Sequence, residues 1–126
     1  MPAVRWLWIF LGGGVGAVLR YELGGWVQAH TGAAFPWGTF AVNALGCLAI
    51  GLLATWLDER GAGGPELRAL LVTGVLGGFT TFSAFGLETW RLLEGSAFLA
   101  AAGNAVGSVV VCVASVALGV ALGRAG

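Results

Sequence analysis

An all-α integral membrane protein with four transmembrane helices per chain is the fold this sequence predicts. Hydrophobic residues make up 58% of the 126 positions and charged residues only 10%. Soluble domains carry roughly one-quarter charged residues. Mean hydropathy is +0.90. The apolar residues also fall into four runs, each near the roughly 20 residues that cross a bilayer. A single four-helix domain over residues 1–126 is expected, with no linker and no second domain.

The first span runs from about Trp6 to Trp26. Arg5 stands at its start, and the run outlasts the h-region of a signal peptide, so no cleavable leader is expected. His30 to Pro36 turns the chain into the second span, about Trp37 to Trp56. Asp58 to Glu66 is a polar, breaker-rich loop. The third span covers about Leu67 to Leu87 and is expected to break at Gly77–Thr81. Two adjacent glycines weaken a helix there, and Thr80 and Thr81 offer hydroxyls that compete for backbone partners. Glu94-Gly95-Ser96 leads into the fourth span, about Ala97 to Leu122. All six tryptophans fall near span ends, as an interfacial aromatic belt requires.

Four spans place both termini on one side. That side holds Arg5, Arg60, Arg68 and Arg124, against Arg91 and an outward-reaching Arg20 opposite. The positive-inside rule leans toward cytoplasmic termini, and so few charges leave insertion in both orientations open. Glycine pairs four apart, such as Gly12 with Gly16 and Gly74 with Gly78, suit close helix packing. So small a chain has little room for a pathway of its own, which favours an oligomer.

Composition also excludes functions. Formal net charge is zero, so nucleic acid is not an expected partner. The single histidine, His30, lies in a loop, and no nucleophile–base set or metal-ligand cluster is apparent, so no enzyme is expected. Cys47 and Cys112 sit inside apolar runs and read as small core residues, in preference to a disulfide or metal site.

What remains is chemistry for small ions. In lipid, a broken helix is tolerated only where its freed backbone groups meet protein, water or an ion. Freed carbonyls can hold a cation and freed N–H groups an anion. Asn43, deep in the second span, needs partners; its NH₂ can serve an anion or an interhelical hydrogen bond, and alone the bond is the commoner use. Phe82 and Phe85 share a face if the helix resumes after the break. Their ring edges carry partial positive charge, although core packing is the usual fate of such a pair. Asn104, Ser108, Cys112 and Ser115 form a weakly polar stripe on the fourth span, either a hydrogen-bonding rail or glue between helices. Arg20 either draws anions into a vestibule, snorkels to the interface, or pairs with Glu22 or Glu88.

Three stretches together resemble a known family. They are Gly13-Gly14-Val15-Gly16-Ala17-Val18-Leu19-Arg20-Tyr21, the run from Pro36 to Gly46, and the run from Gly74 to Phe85. In this order on a four-span chain they resemble the Fluc, or CrcB, fluoride channels, over nearly the whole length. The resemblance implies an antiparallel, dual-topology homodimer in a prokaryotic inner membrane, with two fluoride pathways along its interface. Asn43, Phe82 and Phe85 would line the route, with Ser83 and Ser108 as nearby hydroxyl donors. Arg20 would sit in the aqueous entrance. Backbone carbonyls of Gly77 and Thr80 from both subunits would hold a structural sodium ion. The chain departs from the pattern at Ala84, where threonine is usual, and at Cys112, where serine or glycine is often found.

Two other readings compete with this one. A proton-coupled multidrug exporter needs a carboxylate central in the first span, and Glu22 lies late in it beside an arginine. A non-transporting scaffold subunit would explain the packing glycines but neither Asn43 nor the break.

Overall fold

A computed structural model describes residues 2–61 and 63–126. Every regular element among them is helical. Helix α1 spans Pro2–Thr31, α2 spans Trp37–Arg60 and α6 spans Phe98–Ala125. The third crossing is composite. A short α3, Pro65–Arg68, runs into a π-helix over Ala69–Leu76, then into one turn, α4, over Gly77–Phe79. The chain is extended at Thr80 and Thr81, and α5 resumes over Phe82–Glu94.

The helices outrun the expected spans, so the loops are tighter than the sequence suggested. Asp58, Glu59 and Arg60 are helical, and α2 ends at Gly61 in the left-handed conformation that glycine favours. Pro65 opens α3, where its missing N–H costs nothing. Gln28 shapes the first turn. Its Nε2 donates to Ala33 O (2.9 Å) and Phe35 O (3.0 Å), and its Oε1 accepts from Gly38 N (2.9 Å).

Glycines set the packing. A Cβ on Gly16 would collide with the carbonyl of Val75, and one on Gly78 with the carbonyl of Gly13. A Cβ on Gly51 would strike the Val116 carbonyl, and one on Gly119 the Leu48 carbonyl. Gly12 lies against Leu70 and Gly16 against Val75 and Phe79, while Gly119 lies against Leu48 and Gly123 against Leu52, so the contacts advance together along both helices of each pair. So α1 runs parallel to the third crossing, and α2 runs parallel to α6, in their most extensive interface. The buried core is small: Val42, Leu57, Ala69, Leu76, Leu92 and Ala101.

The two ends of the bundle are tied differently. At the end bearing the termini, ion pairs join Arg5 to Glu66, Arg68 to Asp58 and Arg124 to Glu59. At the other end the neutral Gln28 amide holds the turn.

Among the described residues three helical stretches are long and apolar enough to cross a membrane: Trp37–Arg60, the composite Pro65–Glu94 and Phe98–Ala125. The 30-residue α1 is longer than a bilayer requires and packs alongside the third of these crossings. Large apolar side chains face outward along the bundle, among them Trp6, Phe10, Val18, Phe82 and Leu99. Patches of that extent mark contact with lipid or a partner.

Candidate functional site

The extended link at Thr80–Thr81 organises the site. It lies inside the expected interval, at its C-terminal end. Gly77 and Gly78 themselves stay helical, and Gly78 packs closely on Gly13 of α1; the threonines make the break. Asn43 of α2 reaches across and binds the link as a second backbone would. Its Nδ2 donates to Thr81 O (3.0 Å) and its Oδ1 accepts from Thr81 N (2.8 Å). The interhelical bond, one of the two uses open from sequence, is therefore present. One amide N–H of Asn43 is left for another acceptor.

Thr81 also caps α5. Its Oγ1 accepts from Ala84 N (3.2 Å) and lies 3.3 Å from Ser83 Oγ. On the other flank, Arg20 Nε donates to Gly78 O (3.0 Å), at the carbonyl end of α4 where a cation is favoured. Arg20 thus bonds a backbone carbonyl through Nε, a partner other than the Glu22 and Glu88 carboxylates that were among the alternatives open from sequence.

The diverted bonds release two carbonyls. In an unbroken α-helix Thr81 N would donate to Gly77 O, and Ala84 N to Thr80 O. Here those donors serve Asn43 Oδ1 and Thr81 Oγ1. Among the described residues no three His, Cys, Asp or Glu side chains converge. A resident cation would therefore rely on backbone oxygens, and Gly77 and Thr80 have oxygens relieved of their regular helical donors.

Two clefts meet at the break. One, of about 380 Å³, is mostly apolar and is lined by Asn43, Cys47, Phe82, Phe85, Ser108 and Cys112 among others. The second, of about 550 Å³, is more polar and is lined by Arg20, Glu22, Gln28, Thr39 and Glu88 among others. Thr81 belongs to both walls. Within the first cleft the Phe82 and Phe85 rings lie 5.4 Å apart on one face, as their spacing predicted, and Phe82 is 82% exposed. In the second, Glu88 Oε1 is buried without a hydrogen-bond partner.

The polar stripe of α6 is partly a relay and partly glue. Ser108 Oγ donates to Asn104 Oδ1 (3.2 Å), Asn104 Nδ2 to Thr89 Oγ1 (2.9 Å), and Thr89 Oγ1 to Phe85 O (2.8 Å). Asn104 is buried to 2% exposure, and both its Nδ2 and its Oδ1 find a partner. To donate into the first cleft, Ser108 must turn its hydroxyl away from Asn104. Thr89 and Gln28 were missed from sequence. Thr89 sits four residues after Phe85 on an otherwise apolar face, and Gln28 is the only glutamine in the chain; those are the signals that were available.

The family model described as "CrcB-like protein, Camphor Resistance (CrcB)" matches residues 7–120. A Chloroflexus aurantiacus protein named "Fluoride-specific ion channel FluC" is 51% identical over 116 residues, covering 92% of this chain and 92% of its own. A protein of the same name from Novosphingobium aromaticivorans is 51% identical over 118 residues, covering 92% and 93%. Another from Hahella chejuensis is 43% identical over 124 residues, covering 98% of each. With its long apolar helices, this chain is a multi-pass membrane protein. Three stretches suggested the kinship, and the match now extends over most of the polypeptide: this protein belongs to the CrcB family.

Proposed function

We propose that this protein is a fluoride channel that lets cytoplasmic fluoride leave the cell passively. One observation carries the reading beyond the names of its relatives: a charged cleft and an aromatic, amide-bearing cleft abut at a helix break stapled by Asn43. Fluoride is small and strongly hydrated, so a pathway must replace its water. It must do so with several weak donors, since one fixed cation would trap the ion. The Arg20 guanidinium gathers anions at the polar cleft. The free Asn43 N–H, the Ser83 and Ser108 hydroxyls and the ring edges of Phe82 and Phe85 then take over from water. Entry of HF as a weak acid, followed by its dissociation in the cytoplasm, supplies the outward gradient.

The working unit in this reading is two copies in inverted orientation in a prokaryotic inner membrane, each supplying all four helices as spans. A partner copy would cover the exposed Phe82. It would also bring a second pair of Gly77 and Thr80 carbonyls to the two-fold axis, a donor set that suits a hard cation such as sodium.

Vesicles loaded with fluoride and carrying the purified protein test this. Electrogenic fluoride efflux that needs no proton gradient, with chloride retained, is the expected result; tight vesicles would end the proposal. Phe82→Ile and Phe85→Ile should each slow efflux about fivefold, on the assumption of roughly 1 kcal/mol lost per ring edge. Size-exclusion profiles should stay unchanged. Parental rates in both variants would reduce the aromatic pair to packing.

A further inference from the structure

The α2–α6 seam carries two cysteines to which the proposed pathway assigns no role. Gly51 and Val116 are in backbone contact across that seam. Cys47 and Cys112 lie one helical turn before them, on helices that run parallel, so the same register pairs the two cysteines. Both are free, and both line the apolar cleft.

We propose that Cys47 and Cys112 form a two-thiolate site for a soft cation that prefers two linear ligands, with mercury(II) as the matching probe. Thiolates select soft ions. No third His, Cys, Asp or Glu joins them among the described residues, so ions that require four such ligands are excluded. Binding is balanced without an oxidant: two S–H bonds break, two S–metal bonds form, and two protons leave to solvent. For a divalent ion the product is neutral, which suits an apolar wall where a net charge would be penalised. The bound metal would occupy the cleft that Asn43 and Phe82 also line. The site rests on the helix register and the shared cleft wall, whatever the cleft conducts.

Titration of the detergent-purified full chain with HgCl₂, against glutathione as competitor, tests this. Metal–thiolate absorbance and free thiols are both followed. One mercury per chain is expected, with both thiols lost together and two protons released. Cys47→Ser and Cys112→Ser should each weaken retention against glutathione by about 10²-fold, the loss expected when a second linked contact is removed. Two mercury ions per chain, or single variants that hold the metal as the parent does, would overturn the site. Stoichiometry is read on the parental chain, so a misfolded variant does not rescue the proposal. None of these readings involves fluoride, so failure here leaves the channel reading standing. Tight vesicles with metal-free protein would sink only the latter.

Discussion

Asn43→Ala is expected to destabilise the protein and to abolish most fluoride efflux. The asparagine satisfies both polar groups of Thr81, an N–H and a C=O that the interrupted helix leaves without regular partners. Alanine strands both. Each unsatisfied group costs about 1–3 kcal/mol, and water is scarce at membrane depth. A loss of about 2–6 kcal/mol is therefore expected, read as a lower midpoint of thermal unfolding in detergent. Asn43→Asp separates the two bonds: a carboxylate still accepts from Thr81 N–H but cannot donate to Thr81 C=O, and it places negative charge where an anion must pass. Efflux should fall further with Asp than with Ala, while stability lies between Ala and the parent or below both. An Asn43→Ala protein with parental stability and flux would show that the break holds itself.

A second large effect is expected at Gly16. Any Cβ there meets the Val75 carbonyl and comes within 2.8 Å of Phe79 N. Neither backbone atom can swing aside as a flexible side chain would. Gly16→Val should therefore push α1 off the third crossing and cost about 3 kcal/mol or more, the upper range for overpacking. It should also displace Arg20, four residues on, from Gly78 O. Gly14 provides the control, because a Cβ on it meets nothing within 4 Å. Gly14→Val carries the same change in helix propensity and should stay within about 1 kcal/mol of the parent. Yield, thermal midpoint and efflux compare the pair directly. Equal behaviour of the two variants would mean that α1 does not sit where the packing places it.

These two positions show what a sequence displays and what it hides. Apolar run length announced the helices, and the glycine–threonine cluster announced a break, because both are local signals. The division of labour within the cluster was not local. Gly78 is small because Gly13 approaches it from α1, and Thr81 can leave the helix because Asn43, 38 residues earlier, receives it. Asn43 stood out as a polar residue in an apolar run, yet its partner could not be read from spacing. Asn104 and Ser108 were legible as a stripe, being four apart on one helix; Thr89 completes their chain from another helix and left no periodic trace. The π winding of Ala69–Leu76 was also invisible. An eight-residue apolar stretch reads the same whether its hydrogen bonds span four residues or five, and tertiary packing decides.

The contrast between the two rims has a consequence for a protein bathed by different fluids on its two sides. Exposed ion pairs are worth about 0–1 kcal/mol each and fade as electrolyte rises, whereas the Gln28 amide is indifferent to it. One mouth of the subunit should therefore loosen in brine while the other stays shut. Inverted copies would present one mouth of each kind to either compartment, so neither side of the membrane would face only the electrolyte-sensitive rim.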